Sequence, residues 1–180
     1  PRLTCLTDEY AEDIVEQIAE AGGEGGLEGI HEDLLDAITL LMDVTDMKES
    51  EAYQSGTFGD LLTDPTEIVL EEGKEPAMTG SIKTATSVAD ALKFQYYEEA
   101  DDKAAAFGHD LTRADWLKIQ SIVDTYTQML FTAPLVSVNV ANALLREIRS
   151  ELSNEERKFS FLCGHDSNMS SLLHALGVKE

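Results

Sequence analysis

The stretch that decides the reading of this chain is KFSFLCGHDSNMSSLLHALGV, from Lys158 to Val178. Phe159, Phe161, Leu162 and Cys163 make a short apolar run that stops at Gly164, and the composition predicts a strand over 158–163 with Cys163 buried at its end. From Ser167 to Leu176 the pattern is helical, and Gly177 stops it. His165 and Asp166 therefore stand at the joint of a strand–turn–helix unit. A single buried strand is not a sheet, because its backbone donors and acceptors need neighbours. No other stretch of the chain reads as a clear partner. Either the exposed strand pairs with a second copy of the chain, giving a dimer, or the rest of its sheet lies outside these residues.

Open α/β folds place ligands beyond the carboxyl end of a strand, where Gly164-His165-Asp166 falls. The helix that follows offers free backbone N–H groups and the positive end of its dipole, which suit an anion such as phosphate. A histidine there can donate hydrogen bonds to phosphate oxygens, and a protonated aspartate can deliver a proton to a leaving alkoxide. The plainer alternative makes Asp166 or Ser167 a helix cap and His165 a loop residue. Two more histidines precede acids, His31-Glu32 and His109-Asp110, as in metal-dependent phosphohydrolases of the His-Asp type. Those enzymes hold their ligands on helices and need a further distal aspartate, whereas His165 follows a strand, so no metal site is assigned. His174 reads as a packing residue. Asn168-Met169-Ser170 matches a glycosylation sequon but falls inside the proposed site.

Outward from this unit the chain is helical. Thr7 caps a first helix over 7–21 that faces Ile14, Ile18 and Ala21 inward, with Leu6 as a staple. AGGEGGLEG, from Ala21 to Gly29, reads as a flexible connection. It is not a phosphate loop, since Glu28 occupies the last glycine position of GxGxxG and no strand precedes it. A second helix is expected over 31–47, with Leu34, Leu35, Ile38, Leu41 and Met42 inward. Glycines and prolines break up 49–80, leaving one short strand near Ile68-Val69-Leu70. Helices resume from Ser81 to the acidic residues after Tyr97, from a Thr112/Asp115 capping box through Leu130, and from Pro134 through Ile148.

The 180 residues carry a net charge of −22, and 27 of the 35 acidic residues fall within 1–110 against 6 basic ones. Such a surface is a poor partner for nucleic acid, which needs clustered Lys and Arg. It reads as a solvated acidic exterior. An EF-hand fails at Asp43, where Thr45 and Met47 replace oxygen-rich ligands. No apolar run approaches the ~20 residues of a membrane span, so no membrane partner is expected. Pro1-Arg2-Leu3-Thr4 leads directly into an acidic segment with no apolar leader and no initiator Met, which reads as a mature product or a fragment. Cys5 and Cys163 are too few for a disulfide framework and lack zinc spacing.

Three colinear segments carry a family resemblance. FLCGHDSNMSSLLHALGV (161–178) resembles the second catalytic motif of the histidine acid phosphatases, a strand ending in Gly-His-Asp-(Ser/Thr)-Asn followed by a helix. SIKTATSVADALKFQYYEE (81–99) resembles the helix that leads to their Gln-Tyr-Tyr-Glu stretch. LFTAPLVSVNVANALL (130–145) resembles their Leu-Phe-Thr-x-Pro helix. Within the family the likeness is to the bacterial glucose-1-phosphatase branch, which is phytase-like, and it runs from about Leu34 to the end.

The resemblance implies a two-domain enzyme that hydrolyses phosphomonoesters, a sugar phosphate such as glucose-1-phosphate or phytate, through a phosphohistidine. An α/β domain carries the catalysis and a helical insert covers the pocket. It implies that His165 binds phosphate, that Asp166 is the proton donor, and that Glu98 and Asn168 belong to the substrate pocket. It also implies no cofactor and a periplasmic or secreted location. The family's nucleophile lies in an Arg-His-Gly-x-Arg-x-Pro motif. None of the five arginines here (Arg2, Arg113, Arg146, Arg149, Arg157) stands in one. The expected fold is thus mainly α: a helical insert over 1–130, then a strand–turn–helix piece of an α/β phosphatase domain over 131–180. On that reading the chain alone is inactive. The competing reading is a non-catalytic acidic helical interaction module.

Overall fold

The computed structural model describes residues 2–57, 60–99 and 101–178. The fold is mainly α. Its helices are α1 (Asp8–Ala21), α2 (Gly26–Val44), α3 (Glu51–Gln54), α4 (Ser81–Glu98), α5 (Asp102–Ala105), α6 (Arg113–Thr132), α7 (Pro134–Leu152) and α8 (Asp166–Ala175). A 3₁₀ turn covers Met47–Glu49, and β1 (Ile68–Val69) pairs with β2 (Ala77–Met78) as the one sheet among the described residues. No single described helix is long and apolar enough to cross a membrane.

The chain forms two compact units. The first takes in residues 1–21, 69–77 and 127–180, and the second 22–68 and 78–126. The N-terminal segment belongs to the same unit as the C-terminal helices. Asn139 on α7 shows why. This amide is 7% exposed. Its Oδ1 accepts the Thr4 backbone N–H at 2.6 Å and the Thr4 hydroxyl at 2.9 Å, and its Nδ2 donates to the Cys5 carbonyl at 2.8 Å. Gln17 on α1 adds a second tie. Its Oε1 accepts the Leu135 N–H at 2.8 Å, an amide in the first turn of α7 that has no helical partner. Ala133, which precedes α7, offers no capping side chain.

In the second unit, α2 and α4 form a contact, and both bury apolar faces. Ile30, Leu34, Ile38, Leu41 and Met42 are buried on α2, and Ile82, Ala85, Ala89 and Leu92 on α4. The entry to α4 is tightly constrained. Gly80 has φ +77°, and a Cβ there would lie 1.9 Å from the Pro65 carbonyl oxygen. Ser81, 1% exposed, donates its hydroxyl to the Asp64 carbonyl at 2.8 Å and also bonds His31 Nε2. One hydroxyl has one proton, so His31 is the donor in the second bond and carries its hydrogen on Nε2.

Several expectations are corrected. Residues 158–163 form no strand, because no described segment pairs with their backbone. Phe159 and Phe161 are each 78% exposed, and Cys163 is exposed, not buried. The connection 21–29 is shorter than expected, because α2 begins at Gly26 and takes Gly29 into its first turns. Leu35 is 46% exposed and Ala21 is also exposed. The segment 47–54 is partly helical, and Ala77–Met78 supplies the partner that the short strand near Ile68 lacked.

Candidate active site

The His-Asp pair lies where the sequence places it, at the start of a helix. His165 is the N-cap of α8, with φ −93° and ψ 167°, and Asp166 is the first helical residue. Two local bonds fix this corner. The His165 backbone N–H donates to Asn168 Oδ1 at 3.1 Å, and the Ser167 N–H donates to Asp166 Oδ1 at 2.8 Å. Asn168, three residues on, thereby closes the reciprocal half of a capping box. A Cβ on Gly164 would sit 3.4 Å from Asn168 Cβ and Oδ1. That is ordinary contact, so space alone does not demand glycine here.

Both candidate side chains face solvent. His165 and Asp166 are exposed, while Ser167 and Ser171 are the buried residues of α8. The two serines are four apart and so share a face. α8 packs on α7, and such small inward residues allow a close approach. The imidazole and carboxylate are thus presented together at a helix start, where the Ser167 N–H is taken by Asp166. The arrangement can hold an anion and offer it a proton.

The other residues singled out in the sequence fall elsewhere. Glu98 is the last residue of α4, in the second compact unit, with its side chain in solvent. His31 is engaged by Ser81. Asp110, beside His109, pairs with Lys103 at 2.9 Å, and that carboxylate holds the Lys103 ammonium above its ordinary value. His174 is exposed instead of packed. Among the described residues no three His, Cys, Asp or Glu side chains are grouped as a metal would need. The buried Asn139, with its three hydrogen bonds, escaped sequence reasoning. Its signal was an amide between two valines in VSVNVAN.

Comparison with known proteins bears out the resemblance. No family model matches the chain. It is similar to the glucose-1-phosphatase of Providencia rettgeri, at 33% identity over 140 residues, covering 76% of this chain and 34% of the relative. It is similar also to the glucose-1-phosphatase of Salmonella typhimurium, at 37% identity over 109 residues, covering 59% of this chain and 26% of the relative. In fold it resembles the phytase of Hafnia alvei (TM-score 0.72, 17% identity, 96% of this chain and 44% of that one). The Citrobacter braakii phytase is similar too (TM-score 0.74, 20% identity, 92% and 43%). The chain thus spans about a third or less of the curated relatives it matches.

Proposed function

We propose, from the premise that this chain is a relative of the bacterial glucose-1-phosphatases, that it is part of a phosphomonoester hydrolase and supplies that enzyme's proton donor. The observation that carries the proposal is the exposed His165–Asp166 pair at the start of α8, held by Asn168. In this reading His165 donates hydrogen bonds to the phosphate oxygens, and the α8 N-terminus adds its partial positive charge. The Ser167 N–H occupies Asp166 Oδ1, which leaves Oδ2 to hand a proton to the leaving oxygen as the P–O bond breaks. The nucleophilic histidine and the arginines that stabilise the equatorial oxygens come from an Arg-His-Gly-x-Arg-x-Pro segment that these 180 residues do not contain. The chain by itself is therefore inactive, and charge stabilisation requires no metal.

The remaining assignments extend the same reading. The bulk of residues 1–130, the unit of 22–68 and 78–126, serves as the helical insert, and 131–180, in one compact unit with 1–21 and 69–77, as the return into the catalytic domain. Asn168 orients His165 at the pocket, and Glu98 accepts hydrogen bonds from sugar hydroxyls at its mouth. A periplasmic or secreted setting goes with the relatives. The acidic interaction module is the weaker reading, since it leaves the exposed His-Asp corner without a task.

The test is Asp166→Asn in the intact enzyme. Turnover of glucose-1-phosphate should fall by about 10²–10⁴-fold. The loss should shrink on 4-nitrophenyl phosphate, whose leaving group needs little protonation. Equal losses on the two substrates would remove Asp166 from that role.

A further inference from the structure

The second compact unit holds a cavity of about 330 Å³ between the C-terminal half of α4 and the N-terminal half of α6. Aromatic rings form part of its wall. Tyr96 and Trp116 lie with ring centroids 4.8 Å apart and planes at 54°, and Tyr97 meets Tyr96 edge-on at 5.8 Å. The Trp116 Nε1–H is buried with no acceptor. An indole N–H can only donate, and leaving it buried and unpaired is costly.

The charges of the cavity have one sign. Although the chain has 35 acidic residues, none lines this cavity, whereas Lys93 and Arg113 do. Lys93 is neutralised by Asp90 at 2.6 Å. Arg113, in the first turn of α6, is exposed and has no ion pair or hydrogen-bonded side-chain partner among the described residues. An unpaired guanidinium beside aromatic rings suits a carboxylate, which it can grip with two parallel hydrogen bonds. Of the acids near by, Asp90 is held by Lys93 and the Asp115 carboxylate is turned to Thr112, and charges beyond about 8 Å are screened at physiological ionic strength.

We propose that this cavity binds a small aromatic carboxylate, with its ring against Tyr96 and Trp116 and its carboxylate on Arg113. The site lies on the opposite side of α4 from Glu98. Ala89, in the cavity wall, is nine residues from Glu98, about two and a half helical turns. The inference does not rest on the phosphatase reading and would hold for a chain with no catalysis.

Trp116 is the single tryptophan, so its emission reports on the cavity directly. The 180-residue chain is titrated with benzoate, with acetate as the ring-free probe and choline as the cationic one. Benzoate should give a saturable change in emission, and acetate and choline none. Arg113→Gln should weaken benzoate about tenfold or more. Arg146→Gln makes the same charge change on α7 and should leave affinity unchanged. Arg113→Lys keeps the charge without the fork and should fall between, and it carries the test if Arg113→Gln alters the far-UV circular dichroism. The proposal is overturned if benzoate gives no saturable change, if choline matches it, or if the Arg113 and Arg146 variants lose affinity equally.

Discussion

Single residues in this chain act through what they exclude as much as through what they bind. Gly80 is the clearest case. Its φ of +77° disfavours any side chain, and a Cβ would lie 1.9 Å from a backbone oxygen that cannot swing away. Gly80→Ala should therefore destabilise the chain by about 3 kcal/mol, read as a drop in the urea midpoint with the slope unchanged. An effect within experimental error would mean that the Pro65 segment yields freely. Glu98 excludes in another way. At the end of α4 its carboxylate faces solvent, and in the proposed enzyme it repels substrates with many phosphates while accepting bonds from sugar hydroxyls. Glu98→Gln in the intact enzyme should shift relative activity from glucose-1-phosphate toward phytate, most strongly at low salt. An unchanged ratio of the two kcat/KM values would make Glu98 a surface residue.

Among the elements, α6 shows how a local signal in sequence becomes a pH-dependent one in structure. Thr112 and Asp115 form the reciprocal box that their spacing predicts. The Thr112 N–H donates to Asp115 Oδ2 at 2.9 Å, its hydroxyl donates to the same oxygen at 2.7 Å, and the Asp115 N–H returns to Thr112 Oγ1 at 3.2 Å. The Thr112 hydroxyl and then its backbone N–H hold the Asp115 carboxyl below its ordinary value of 3.8. A lowered carboxyl contributes stability that is present above the ordinary value and is lost as pH falls through the folded one. Thr112→Val should cost about 0.5–2 kcal/mol at neutral pH. Below the ordinary value the gap to the parent chain should narrow, as urea melts across that range would show. A gap that stays constant with pH would mean that the carboxylate adds nothing to the cap. Elements of this kind were legible because cap and periodicity are contiguous, and the same holds for the site, where Gly164 to Asn168 form one local turn. Other features depend on distant partners and were not legible. Ala77–Met78 is too short to alternate, α2 starts in a glycine run whose composition suggests a loop, and 158–163 has strand composition without a described strand to pair with. Tyr96, Arg113 and Trp116 meet only once α4 and α6 are packed.

For the whole molecule, the acidic charge and the apolar segment 158–163 pull in opposite directions. Phe159 and Phe161 are each 78% exposed and Leu162 is 46% exposed. Side-chain ties from this region run to Glu151 on α7. Ser160 donates its hydroxyl there, and Arg157 approaches at 3.4 Å. Exposed apolar side chains on backbone with free donors and acceptors favour pairing with a like segment. The net charge of −22 opposes the approach of a second copy. Its reach is set by salt, with a screening length of about 30 Å at 0.01 M and about 3 Å at 1 M. The isolated chain should therefore sediment as a monomer in low salt and associate as salt is raised. Phe161→Lys puts a charge in the middle of the apolar run and should keep the chain monomeric in high salt, with an unchanged far-UV spectrum because the segment is part of no helix or strand. Sedimentation velocity at two salt concentrations decides it. A monomer at both would show that the exposed phenylalanines do not drive association, and association that survives Phe161→Lys would place the contact on another surface.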